Sequence, residues 1–281
     1  MSELLEPFML GVGHTPEKCP FCPKEDNTQH YKTYKGENNN GTKLGNLVNE
    51  PEKFGTSTEP DARPKDGKTG KDGRQNQSFA DTGDETFAKI KGDDKDWKFQ
   101  CHHAISGNQC LKGHDVEKFI VAGEKLKYDS GYSVNNPQQG IWMPSFPEDG
   151  KWPANPAEKF ELAKKAMDKF GRQFHLGHHN IQLDPDKMDL ETDRMYVDYV
   201  KNLLDTLHGT LSPWEVSCPE KTLEGKHIGN TRIHSGFDKA SEKIIEMLKG
   251  TPEDWTTFVS RHARDYTFQK RYPDEKIDFT K

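Results

Sequence analysis

Apolar residues recur at helical spacing through the C-terminal half of the chain and almost nowhere in the N-terminal third. Asn155-Pro156 opens the clearest helix, with Asn suited to the N-cap and Pro to the first helical position. Phe160, Ala163, Met167 and Phe170 share its apolar face, and Gly171 stops it. Met195, Tyr199, Leu203 and Leu207 mark a longer amphipathic helix, and Phe237, Ala240, Ile244 and Leu248 another that ends at Gly250. Thr251-Pro252-Glu253-Asp254 reads as the cap of a last helix carrying Trp255, Phe258 and Val259. Upstream, Asp96-Trp97-Lys98-Phe99 predicts a short strand. Val116, Phe119, Ile120 and Val121 predict a short helix within 115–127. Residues 128–150 read as a Gly/Asn/Pro loop in which Ile141, Trp142 and Met143 stand out. The expected fold class is α+β, mostly helical with a little strand.

Composition divides the chain. Of 281 residues, 31% are apolar and 31% charged, too polar for uniform packing, so a substantial part is expected to bury little. That part is the Gly, Lys, Asp and Asn-rich stretch 32–95, with Asn38-Asn39-Asn40-Gly41 and Asp66-Gly67-Lys68-Thr69-Gly70, read as an irregular linker that can fold back over the core. The expected organisation is an N-terminal segment at 1–31, this linker, and a domain over 96–281. No apolar run approaches a membrane span. Met1-Ser2-Glu3-Leu4-Leu5-Glu6 lacks a basic start and an apolar core, so the expectation is synthesis in a cytosol and any export without a cleaved leader. The net charge of −6 weighs only lightly against a nucleic-acid partner, because local patches and a bound cation govern phosphate contact.

Five cysteines do not suggest a disulfide framework. Cys19-Pro20-Phe21-Cys22 has the gap that lets two thiolates reach one tetrahedral zinc. Cys101 with Cys110, or His14 with His30, can complete such a structural site, and a reduced thiol pair without metal is the alternative.

The chemistry concentrates in two histidine clusters. Cys101-His102-His103-Ala104-Ile105 puts adjacent imidazoles at the head of an apolar turn, and Phe174-His175-Leu176-Gly177-His178-His179 follows downstream. Buried imidazoles need partners. Several of them around one divalent ion, with another left as a base, form a set suited to phosphodiester hydrolysis.

Three blocks resemble the HNH nucleases of the ββα-metal, or His-Me finger, superfamily, in the branch named for its Ala-His-His motif. Cys101-His102-His103-Ala104-Ile105 resembles the opening, with Cys in place of Ala. The stretch from Gly131 through Asn135, Asn136 and Gln139-Gly140-Ile141-Trp142-Met143-Pro144 resembles the middle block. His175-Leu176-Gly177-His178-His179 resembles the closing His-x-Gly-x-His.

The resemblance implies a ββα-metal core in which His102, His175 and His179 hold one divalent ion (Mg²⁺, Mn²⁺, Zn²⁺ or Ni²⁺). His103 would be the general base, oriented by Asn135 or Asn136. His178 would be a phosphate contact; apart from the resemblance, the basic patch Lys164, Lys165, Lys169 and Arg172 offers Arg172 as another, with a solvated helix face as the alternative. The resemblance further implies a DNA-cutting toxin or type VI secretion effector acting in the cytoplasm of a rival bacterium. Its partners would be a cognate immunity protein and a spike or tube component of the secretion apparatus. The alternatives are an RNase, a phage or repair endonuclease, or a zinc-stabilised binding module without catalysis.

Overall fold

The computed structural model describes residues 14–22, 40–41, 44–45, 97–147, 152–176, 194–229 and 231–277. Over these the architecture is α+β. Strand β1 (Trp97–His103) pairs antiparallel with β2 (Gly140–Pro147), in a register that sets Cys101 opposite Trp142 and His102 opposite Ile141. Helix α1 (Pro156–Phe170) follows, then β3 (Arg194–Met195), α2 (Tyr196–Ser217), α3 (His234–Lys249), β4 (Thr257–Phe258) and α4 (Arg261–Arg271). The two-residue strands β3 and β4 pair in parallel.

The hairpin stands between two cores because a strand alternates its side chains. Trp97, Phe99, Cys101 and Trp142 face a cluster with Phe160, Met167 and Phe170 of α1, together with Phe174, Trp255 and Tyr266. Ile141 and Met143 face the second core, built by Val200, Leu204 and Leu211 of α2 with Phe237, Ile244 and Leu248 of α3. Where α2 and α3 cross, Gly236 removes a side chain: a Cβ there would lie 2.5 Å from Leu207 Cδ1.

Local signals set the ends of α1. Asn155 Oδ1 accepts from the amides of Ala157 (2.8 Å) and Glu158 (3.4 Å), and Gly171 closes the helix at φ 58°. Three expectations shift. Residues 140–147 within the expected loop form β2, because an antiparallel partner satisfies their backbone. The helix expected over 115–127 is a single 3-10 turn, Asp115–Phe119, capped by His114 Nδ1. Trp255, Phe258 and Val259 precede the last helix rather than ride on it. The cap of α4 is Ser260, whose Oγ accepts from Ala263 N at 3.2 Å.

Both leading segments touch the body of the protein. Phe21 packs edge-on against Phe119. Leu44 is buried in the hairpin core, and a Cβ on Gly45 would meet the Trp142 ring at 2.7 Å. Among the described residues no helix is long and apolar enough to cross a membrane.

Candidate functional site

Alternation along β1 puts Gln100 and His102 on one pleat face, and the chain after α1 brings His175 to them. The His175 amide donates to the Pro144 carbonyl at 2.8 Å, at the edge of β2. Two residues earlier the buried Gln173 side chain donates to the Thr257 carbonyl (2.7 Å) and accepts from Val259 N (3.0 Å), tying the segment to β4 as well. Held from both sides, the His175 ring centroid lies 5.1 Å from that of His102.

Partners fix which nitrogen of each ring carries its lone pair. His175 Nδ1 is 2.8 Å from Gln100 Oε1, an acceptor, so Nδ1 bears the proton and Nε2 the lone pair. His102 Nε2 is 2.8 Å from Tyr196 Oη, and that hydroxyl gives its own proton to the Ala104 carbonyl at 2.7 Å. The phenol oxygen therefore accepts from His102, which leaves the lone pair on Nδ1. Burial holds the Tyr196 phenol well above the ordinary phenol range, so it stays a neutral donor. Two imidazoles from distant parts of the sequence, each with one ring nitrogen engaged by a neighbour, are in their neutral form a donor pair suited to a borderline divalent ion.

His103 ends β1, at the pleat position opposite His102. Its Nε2 donates to Asn135 Oδ1 at 2.9 Å, and the same oxygen accepts from Asn40 N at 3.1 Å. Of the two asparagines open to this role, Asn136 is occupied elsewhere: its Nδ2 donates to Asp238 and its Oδ1 accepts from Gln138 N.

Two other site expectations need correction. Arg172 is not a surface phosphate contact. It is 2% exposed, and its guanidinium donates to the Trp142 carbonyl at 3.2 Å, bracing β2 from within. The cysteine pair does meet further ligands, but not Cys101 or Cys110. Cys101 lies on the aromatic face of the hairpin, and Cys110 sits in the turn after β1. The ligand atoms of Cys19 and Cys22 instead join those of His14 and Cys218, all within 4.8 Å of one another, a group that could hold a metal such as zinc.

His178, His179 and His30 lie outside the described residues. Sequence reading missed Tyr196, Gln100 and Cys218. Tyr196 heads the stripe Tyr196, Val200, Leu204 and Leu211 that α2 buries, one residue out of phase with the expected face through Tyr199 and Leu203, which are only partly buried. Nothing local marks Gln100, whereas a cysteine directly after the end of a long helix, followed by Pro219, was a usable signal for Cys218. No family model, curated protein or solved structure matches this chain.

Proposed function

We propose that the chain is a metal-dependent endonuclease of the ββα-metal type. In this reading His102 and His175 hold one divalent ion, His179 is the third ligand that the resemblance implies, and His103 is the general base. The observation that carries it is the meeting of His102 with His175, 5.1 Å between ring centroids, with the tautomers set by Tyr196 and Gln100.

A bound cation would supply positive charge against the scissile phosphate and the leaving oxygen. The rest falls to the chain. His103 Nδ1 takes a proton from the attacking water as the water oxygen bonds to phosphorus and the P–O bond to the leaving nucleotide breaks. The Asn135 amide oxygen accepts the Nε2 proton of His103 in both its neutral and protonated states, so the ring keeps its orientation through the transfer. For both imidazoles to serve one phosphate, the His103 ring must reach around the end of β1, where the chain leaves the pleat at Ala104.

The wider reading rests on the sequence resemblance: DNA as substrate, action in the cytoplasm of a rival bacterium, a cognate immunity protein, and delivery by a secretion apparatus. The finger grips phosphates, so DNA and RNA are separated by assay rather than by base contacts.

Plasmid DNA and structured RNA, each incubated with the protein and Mg²⁺, Mn²⁺, Zn²⁺ or Ni²⁺, test the proposal. Wild type nicks the plasmid, and His103→Ala lowers cutting by about 10²-fold or more with the fold and metal content retained. Undiminished cutting by His103→Ala removes the base assignment. A second reading, a zinc-stabilised binding module, is favoured by the thiol cluster alone. It prevails if wild type cuts neither substrate with any of the metals.

A further inference from the structure

The thiol cluster sits at the opposite end of α2 from Tyr196, about 33 Å of helix away. His14, Cys19 and Cys22 come from the N-terminal segment and Cys218 from the turn that ends the helix. His14 Nε2 lies 3.1 Å from Cys22 Sγ, and Cys22 Sγ lies 3.6 Å from Cys218 Sγ. Tetrahedral zinc with bonds of about 2.3 Å to sulfur and about 2.0 Å to nitrogen spaces its ligand atoms by roughly 3.5 to 3.8 Å. These separations are therefore close to the edges of such a site, and none of the cysteines is in a disulfide.

We propose that His14, Cys19, Cys22 and Cys218 bind one structural zinc ion that staples the N-terminal segment to the end of α2. The proposal stands apart from the nuclease reading, and either can fail without the other.

Several features of the surroundings argue for a built site. The turn Thr15–Cys19, in which Thr15 O accepts from Lys18 N (3.0 Å) and Cys19 N (2.9 Å), presents the two cysteines from one loop. Arg232 donates to the carbonyls of Pro16 (2.5 Å) and Cys19 (3.2 Å), clasping that loop and setting a cation beside it. The loop bearing Cys218 is clasped in turn by the fully buried His227, whose ring nitrogens lie 2.9 Å from the carbonyls of Glu215 and Glu220. The Glu220 amide donates to the Cys218 sulfur, the interaction that orients a ligating thiolate. Phe21, between the two N-terminal cysteines, fixes the loop against Phe119 and His227, at centroid distances of 5.5 and 4.9 Å.

Charge and coordination decide the role. Buried thiols are at home in a core, but three sulfurs converging with an imidazole nitrogen within 4.8 Å of one another are the right set for a soft divalent ion. With zinc, three thiolates and a neutral imidazole leave one net negative charge for Arg232 to balance. Four protein ligands fill a tetrahedron and leave no position for substrate water, so the ion holds structure rather than performing chemistry.

Full-length protein is stripped of metal, refilled with Co²⁺ and read by absorption, and its zinc content is measured by mass spectrometry. The expected result is about one tightly held equivalent per chain with tetrahedral d–d bands and thiolate-to-cobalt charge transfer. Cys218→Ser should lose that equivalent, Cys110→Ser should keep it, and His14→Cys should keep it as a four-sulfur site. His102→Ala should leave the thiolate bands intact, which separates this site from the histidine pair. Wild-type protein without thiolate-to-cobalt bands, or bands unchanged in Cys218→Ser, overturns the proposal. Because the cobalt spectrum of wild type and the His14→Cys rescue do not depend on Cys218→Ser folding, the outcome stands even if that variant is unstable.

Discussion

The Tyr196 hydroxyl lies 2.8 Å from His102 Nε2 and 2.7 Å from the Ala104 carbonyl, so one buried phenol sets both a histidine tautomer and the bend that follows it. Tyr196→Phe keeps the ring and deletes this bridge. It should cost about 1–3 kcal/mol of stability and, on the proposed function, weaken metal binding at the histidine pair about 10- to 100-fold. Urea unfolding reads the first, and the metal dependence of cleavage the second. An unchanged metal dependence would mean that Tyr196 only packs.

Gly229 allows a backbone approach that no larger residue tolerates. A Cβ there would lie 2.1 Å from the Tyr128 carbonyl oxygen and 2.7 Å from the Asp129 carbonyl carbon. Backbone cannot move aside as a side-chain tip can. Gly229→Ala should therefore destabilise by about 2 kcal/mol or more and lower Tm by several degrees. Gly123→Ala, whose Cβ would meet nothing within 4 Å, is the matched control. Equal melting of the two variants would refute the steric argument.

Acid should loosen the protein through His262. Burial against Trp152 and Phe174 pulls its pKa down from 6.5 to about 4. The folded state keeps this ring neutral while the unfolded chain protonates near 6.5. Its contribution is complete above pH 6.5 and is lost as pH falls toward 4. Between pH 6.5 and 5 that loss reaches about 2 kcal/mol, and His262→Phe should remove it from the measured pH dependence. A variant with the wild-type acid limb would place the sensitivity elsewhere, with the similarly depressed His234 as the next group to replace.

Asp238 carries the opposite sign. Burial raises it to about 7, against the pull of the Asn136 hydrogen bond. The native state thus holds this proton up to near neutrality, whereas the unfolded chain releases it near 3.8. The group costs nothing at low pH, and its penalty accumulates between pH 3.8 and 7 and persists above. Asp238→Asn retains an oxygen for Asn136 and should raise Tm at pH 8 while leaving pH 4 unaffected. Equal shifts at both pH values would sink the linkage.

The parts of the fold legible in sequence were those written locally. Asn155, Pro156 and Gly171 bracket α1 because capping involves residues a few positions apart. The strand at Trp97 was legible for its apolar alternation. Its partner was not, since Gly140–Pro147 becomes a strand only by pairing with residues some forty positions earlier, and its prolines read as loop. The C-terminal apolar pattern was real but placed on the wrong element. Trp255 and Phe258 fill the core from an extended stretch, and the helix begins only at the Ser260 cap. The blocks that suggested a site were local too, whereas what joins His102 to His175 is tertiary: Gln100, Tyr196 and the clamp on the segment after α1. Of the ligands open to Cys19 and Cys22, the fold brings His14 but neither Cys101 nor Cys110, and it adds Cys218 from almost two hundred residues away, a convergence that local spacing does not encode.

Gln173 makes the C-terminal quarter part of the histidine pair. Because its amide grips the backbone at Thr257 and Val259, the His175 segment is moored to a stretch that lies outside the hairpin and its helix. A minimal fragment trimmed to β1, β2 and α1 would discard that mooring and let His175 drift from His102, so the smallest workable unit extends through β4.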